Sequence, residues 1–316
     1  MKVYKSLEKM DQKHPYCYNY YESASKFKIM LKKYFPKIRE RYLIYKYSQE
    51  CKEDINAFMK NPQIFQAVEI ETVNRCNGTC EFCPVNKNDE KRPFHIMEDT
   101  LFEKIIKELK GISKMLEADG KQLFIALHSN NEPFIDQRME KFIKYAKENI
   151  PNAFLYLYTN GTLLKTDMFE RILQYLDRID IDNYSDELEI LPDLEHLYKY
   201  CIEHNVEHDK VKFHIRKEHE VLTTRGGQAP NKKKVKTIKS QCYLPYVQFI
   251  IRPDGKVSLC CNDALGTYTM GNANNQTLME IWESKEYEEI RSSMYKEGRK
   301  NLDLCKECDT CHNLSF

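Results

Sequence analysis

The stretch Ala67-Val68-Glu69-Ile70-Glu71-Thr72-Val73 runs, after two residues, into Cys76-Asn77-Gly78-Thr79-Cys80-Glu81-Phe82-Cys83. The first part alternates and is rich in β-branched residues, which predicts a strand. The polar residues around Gly78 predict a loop at its end. Three thiolates on one loop, in the order C-x3-C-x2-C, can wrap a cubane and hold three of its irons, leaving the fourth open. Zinc fits that loop less well, because it asks for a fourth ligand close by.

Working outward, the periodicity alternates. A helix is expected over residues 98–116, opening on Glu98-Asp99-Thr100, followed by strand 123–128, helix 137–149, strand 153–158 and helix 166–176. Strand 178–183, helix 192–203, strand 211–216 and a short strand 221–224 lead to Arg225-Gly226-Gly227. Alternating strands and helices imply right-handed crossovers and a parallel sheet. Five or six such units predict an α/β fold, an open sheet or partial (β/α) barrel. Ligands then bind at the C-terminal strand ends, where the cysteine loop lies.

Two further units flank this core of residues 67–227. Residues 1–66 hold 9 of the 21 Tyr, and 14 Lys+Arg against 7 Asp+Glu. Helical spacing at Phe27, Met30, Leu31 and Tyr34, and again at Leu43, Ile44 and Tyr47, is broken at Pro36. It predicts a helical layer covering one face of the core. A basic aromatic surface for a polyanion or leader peptide is the alternative. In the third unit, 228–316, a polar lysine-rich connector (228–241) precedes two short strands, 246–251 and 256–260, around the turn Arg252-Pro253-Asp254-Gly255. Thr277 is placed to cap a helix over 278–283, and 285–295 continues as helix.

Composition narrows the class. The 316 residues are 41% hydrophobic and 31% charged with a net charge of +1, which excludes a low-complexity chain and argues against a nucleic-acid partner. No apolar run reaches the roughly 18 residues of a membrane span, and the N-terminus lacks a signal-peptide core, so a cytoplasmic protein without a membrane partner is expected. Nine of the 12 Cys fall in two groups, Cys76, Cys80, Cys83 and then Cys242, Cys260, Cys261, Cys305, Cys308, Cys311. In a reducing compartment such clusters read as metal or iron–sulfur ligands.

The first group, placed after the first strand of a βα series, resembles the radical S-adenosylmethionine (SAM) superfamily. The resemblance covers residues 67–227 and implies a partial barrel in which SAM chelates the open iron. It implies that Phe82 lies near the adenine. Asn131-Glu132-Pro133 stands where the family has Gly-Glu-Pro, which makes Glu132 the candidate partner of the SAM ammonium. Tyr158-Thr159-Asn160-Gly161 also matches a family segment, so Asn160 is a candidate SAM contact, as is Asp182 at the end of the fourth strand. An Asn in place of the Gly leaves the backbone geometry of that turn open.

The second group reads Cys242-x12-Gly255-x4-Cys260, then Cys305-x2-Cys308. Four thiolates so spaced can close around zinc or a complete iron–sulfur cluster, and the company of the first group favours the cluster. The segment resembles the twitch form of the SPASM extension, with Gly271-Asn272 and the helix around Trp282 as further matches. This implies two 4Fe–4S clusters, one binding SAM and one auxiliary. Cys261 and Cys311 are spare thiols. The likeness is strongest to the twitch dehydrogenases, which oxidise a secondary alcohol to a ketone, and by that likeness Arg225 of Arg-Gly-Gly is a substrate residue. The implied substrate is a small polyol, aminocyclitol or sugar, and the implied electron donor a flavodoxin or ferredoxin. A peptide epimerase or crosslinking enzyme is the alternative, with Cys201 a conceivable hydrogen donor.

Overall fold

The computed structural model describes residues 17–18, 36–85, 92–217, 223–230 and 237–310. In chain order these form β1 (Cys17–Tyr18), α1 (Pro36–Lys60), β2 (Ala67–Ile70), α2 (Asp99–Ala118), β3 (Phe124–Ala126), α3 (Met139–Asn149), β4 (Phe154–Thr159), α4 (Thr166–Leu173), β5 (Arg178–Tyr184), α5 (Glu195–Glu203) and β6 (Val211–Arg216). The remainder is β7 (Gln248–Ile251), β8 (Lys256–Ser258), β9 (Thr269–Asn272), α6 (Leu278–Trp282) and α7 (Lys285–Glu297), with short 3-10 turns between. Nine strands join in one sheet in the order β1-β6-β5-β4-β3-β2-β7-β8-β9. Pairing is parallel from β1 through β7 and antiparallel only in β7–β8–β9.

Helical stripes close one face of this sheet. In α2 the apolar positions Leu101, Phe102, Ile105, Ile106, Leu109, Ile112 and Leu116 are buried, the spacing of a helix face. The Phe102 ring lies 4.1 Å from that of Phe142 on α3, stacked against it. Each such side chain contributes about 1.5–3 kcal/mol on burial. Thr277 caps α6 as the sequence predicts, accepting from Glu280 N while the Glu280 carboxylate accepts from Thr277 N.

Three expectations change. First, the N-terminal unit is not purely helical, because β1 pairs in parallel with the edge strand β6, Cys17 opposite Phe213. Second, α1 packs on the C-terminal elements. Its buried face is Tyr47, Cys51, Ile55 and Phe58, and Phe58 meets the rings of Tyr246 and Trp282 edge-on at 5.1 and 6.4 Å. Third, the C-terminal hairpin continues the core sheet, β7 pairing with β2 from Ala67–Gln248 to Ile70–Ile251. A hairpin pattern reports only its own antiparallel partner, so that parallel edge is invisible locally. Of the short strand expected at 221–224, residues 221–222 lie outside the described residues and Thr223 and Thr224 are not in a strand. The helical spacing at 25–35 also lies outside them.

Candidate active site

The C-terminal ends of β2 to β5 open into one pocket. The loop after β2 contributes Cys76, Cys80, Phe82 and Cys83; the segment after β3 contributes His128 to Glu132; β4 and β5 add Tyr158, Thr159, Asn160, Asp182 and Tyr184. Arg225 and Cys261 complete it from the other side. All seven sequence-nominated residues of the first site and Arg225 therefore face a common space.

The cysteine loop is shaped for close approach. Gly78 N donates to Cys76 Sγ at 3.2 Å. A Cβ at Gly78 would stand 3.3 Å from that sulfur and 3.8 Å from Cys80 Sγ, inside the cradle the thiols form. The Asn160 side chain spans to this loop, donating to Asn77 Oδ1 at 2.8 Å and accepting from Thr162. Its amide thus braces the loop while lining the pocket.

Glu132 is 1% exposed. Its carboxylate accepts from Thr159 Oγ1 at 2.7 Å, Asn160 N at 2.8 Å and Phe134 N at 3.2 Å. Burial pushes its pKa up, and those three donors pull it back. Its own N–H donates to Arg75 O at 2.9 Å, tying the turn to the cysteine loop. Asn131 is not among the residues with positive φ, so the turn does not require the glycine that the family pattern has there. Phe82 is buried with its ring 5.8 Å from that of Tyr184, and Asp182 faces Arg216 Nε at 3.6 Å.

At the far end Arg225 joins Asn130, Glu69 and Gln248 in a polar group that sequence reasoning missed apart from the arginine itself. Arg225 has φ +47, and Gly226 and Gly227 follow at +59 and +81, so the chain turns sharply and sends the guanidinium back into the pocket. Arg225 Nη1 donates to Asn130 Oδ1 at 2.8 Å and to Cys261 O at 3.4 Å. Gln248 Nε2 donates to Glu69 Oε1 at 2.9 Å, and Cys261 N donates to Gln248 Oε1 at 3.1 Å. Burial raises the Glu69 carboxyl to about 7, against the opposing pull of Ser129 and Arg225. His128 is pushed down to about 3 by burial and accepts from Tyr158 N through Nδ1 at 3.1 Å, so it is a neutral imidazole. The available signal was two carboxylates, Glu69 and Glu71, in a strand otherwise apolar; Glu71 turns out to pair with Arg92.

A second, closed cavity is lined by Cys242, Cys260, Cys305 and Cys308 together with Arg299, Leu259 and Leu304. Burial and the neighbouring thiols raise the pKa of Cys260, Cys305 and Cys308, a set that needs cationic metal to exist as thiolates. The Nε–H of Arg299 is buried without a hydrogen-bond partner. Four thiols and an unpartnered cationic donor around one apolar cavity fit an anionic thiolate-bound cluster. Cys261, in the turn after β8, lines the first pocket instead. Cys201 is buried in the hydrophobic core on α5, away from both spaces, and Cys311 lies outside the described residues.

Residues 70–208 match the radical SAM superfamily, and residues 242–312 match SPASM, an iron-sulfur cluster-binding domain. The chain thus carries a radical SAM region followed by an iron–sulfur cluster-binding region; it is an enzyme, and SAM and iron–sulfur clusters are its cofactors. Among curated proteins it is similar to the S-adenosyl-L-methionine-dependent 2-deoxy-scyllo-inosamine dehydrogenase of Niallia circulans, 27% identical over 250 residues, covering 78% of this chain and 94% of the relative. Among solved structures, BtrN in complex with AdoMet and 2-DOIA superposes with a TM-score of 0.65 at 22% identity, covering 79% of this chain and 94% of that one. BtrN in an open conformation gives 0.57 at 20% identity, covering 78% and 94%. The partial-barrel fold is thereby shared. No helix among the described residues is long and apolar enough to cross a membrane.

Proposed function

We propose that this enzyme oxidises a secondary alcohol of a small polyol, aminocyclitol or sugar to the ketone, and that it does so in the cytoplasm with a flavodoxin or ferredoxin as electron donor. The observation that carries the reading is the reach of Arg225: it lines the SAM-side pocket and touches the carbonyl of Cys261, whose chain neighbour Cys260 lines the four-thiol cavity. The two spaces are thus one peptide link apart at Cys260–Cys261, a short path for an electron leaving the substrate. The 27% identical relative, a dehydrogenase by name, supports the same chemistry.

In this reading Cys76, Cys80 and Cys83 hold three irons of the SAM-binding cluster, and Cys242, Cys260, Cys305 and Cys308 hold one auxiliary 4Fe–4S cluster. Glu132 receives the SAM ammonium, and Phe82, Asn160 and Asp182 line the rest of the SAM site. When bound, SAM and the first cluster would supply a 5′-deoxyadenosyl radical able to take one carbinol hydrogen atom, and the auxiliary cluster would supply an acceptor for one electron. The hydroxyl proton must leave as well, which completes a two-electron oxidation. Arg225 stays charged, so it stabilises developing negative charge on the oxygen rather than removing the proton. Glu69, beside Arg225, is the proton acceptor. Around it stand Gln248, Ser129, Arg225, Cys261, Tyr156 and, along its own strand, Glu71.

The test is the ratio of ketone to deoxyadenosine under anaerobic turnover with candidate alcohols. It should be near one for wild type, with carbinol deuterium appearing in deoxyadenosine. Replacing Cys305 and Cys308 with Ala should leave SAM cleavage and label transfer in place and drop the ratio far below one. A product of unchanged oxidation level, or turnover only with peptides, would replace this reading by the peptide-modifying one.

A further inference from the structure

Helix α1 lies upstream of both matched regions, yet it builds part of the four-thiol cavity's surroundings. Tyr47 is 5% exposed and lies beside the thiols of Cys242 and Cys51. Arg299, from the loop after α7, is fully buried and donates through Nη2 to Tyr47 Oη at 3.2 Å and to Thr310 O at 2.8 Å, and through Nη1 to Cys308 O at 3.5 Å. Among the described residues Arg299 makes no ion pair with a carboxylate. The groups that act on its charge are the thiols Cys242, Cys308 and Cys305 and the Tyr47 hydroxyl.

A buried guanidinium without a counter-ion is costly. Its Nε–H is also unpartnered and lies at the cavity that four cysteines line. Both deficits are met by one occupant, an anionic thiolate-ligated cluster. Arg299, donating to the Tyr47 oxygen, is held by helix α1 at the wall of that cavity, with its Nε–H left over for the occupant.

We propose that Tyr47 and Arg299 are positioning residues for the reaction that act through the auxiliary cluster: Arg299 raises its reduction potential by buried positive charge and its spare Nε–H, and Tyr47 holds that guanidinium in place. Hydrogen bonds to cluster sulfurs and local charge are what set such potentials. The N-terminal helix thereby makes the cluster a stronger acceptor for the substrate's electron. This rests on the reading that the four thiols hold an iron–sulfur cluster.

The experiment is an EPR-monitored redox titration of reconstituted full-length protein. Tyr47→Phe and Arg299→Gln should each lower the reduced-to-oxidised ratio of the auxiliary cluster about tenfold at a fixed poise, a shift of about 59 mV for a one-electron couple. The SAM-binding cluster should not move. Arg299→Lys, which keeps the charge and loses the fork, should fall between. Ser48→Ala, on the same helix but bonded to Ser240 Oγ at 2.9 Å, should leave the potential at the wild-type value. If Arg299→Gln fails to load its cluster, Tyr47→Phe decides alone, since it removes one oxygen from a ring that stays packed. An unchanged auxiliary potential in Tyr47→Phe, with or without a loss of thermal stability, overturns the proposal. Wild-type protein that binds only four irons overturns the cluster reading beneath it.

Discussion

Glu132 enters the pocket from a turn where Asn131 stands in place of the family's glycine, and its carboxylate is held by two donors from the end of β4 and one from its own turn. That anchoring leaves its charge available to a cation in the pocket. A charge-assisted hydrogen bond in a shielded site is worth roughly 1.5–3 kcal/mol, so Glu132→Gln should weaken SAM binding about 10- to 150-fold with both clusters assembled. Equilibrium dialysis with anaerobic, reconstituted protein would measure it, and unchanged affinity would remove Glu132 from the SAM site. Glu69 makes a pH prediction. Its carboxyl is raised to about 7, so it is a neutral acid below that pH and a base above it. Ketone formation should therefore rise with pH through about 7, and Glu69→Gln should slow it and flatten the rise. Glu132 was legible from its place after a strand. Glu69 was not, because a carboxylate inside a strand gives no sign of which side chains will surround it.

At the scale of elements, the Arg225-Gly226-Gly227 turn is where core and cluster region meet. Thr224 donates to Glu307 O at 2.7 Å, and a Cβ on Gly226 would lie 2.4 Å from Leu304 Cδ1 and 3.2 Å from Leu304 O. With φ at +59 as well, Gly226→Ala combines backbone strain with overpacking, together about 2–4 kcal/mol. Gly111, in the middle of α2, has nothing within 4 Å of its missing Cβ. Gly111→Ala should be stabilising by roughly 0.5–1 kcal/mol. Denaturant midpoints of the reconstituted variants should thus move in opposite directions, and a neutral Gly226→Ala would show that this contact does not constrain the turn. The helices were legible from their stripes and caps because those signals are local. The docking of 223–229 on the last cysteines was not, since only the Arg-Gly-Gly phrase hinted at an unusual turn.

For the whole molecule, two thiol sets imply two 4Fe–4S clusters and about eight irons per chain. Replacing Cys76, Cys80 and Cys83 together with Ala should halve the iron and abolish SAM cleavage; four irons and one zinc in the wild type would overturn the auxiliary assignment. The two thiol sets, the alternation of strand and helix, and the family they resemble were all readable along the chain. Cysteine spacing within a loop and the periods of strand and helix are consequences of local backbone geometry, so they survive in one dimension. The joining of β7 to β2, which brings Gln248 beside Glu69, is different in kind, as are the seating of Cys260 and Cys261 in separate spaces and the approach of Tyr47 to Cys242. Each pairs residues far apart in the chain, and the choice among possible partners is made by which arrangement buries the most apolar surface while leaving no buried polar group unpaired. That choice is a property of the folded whole, and no window of sequence contains it.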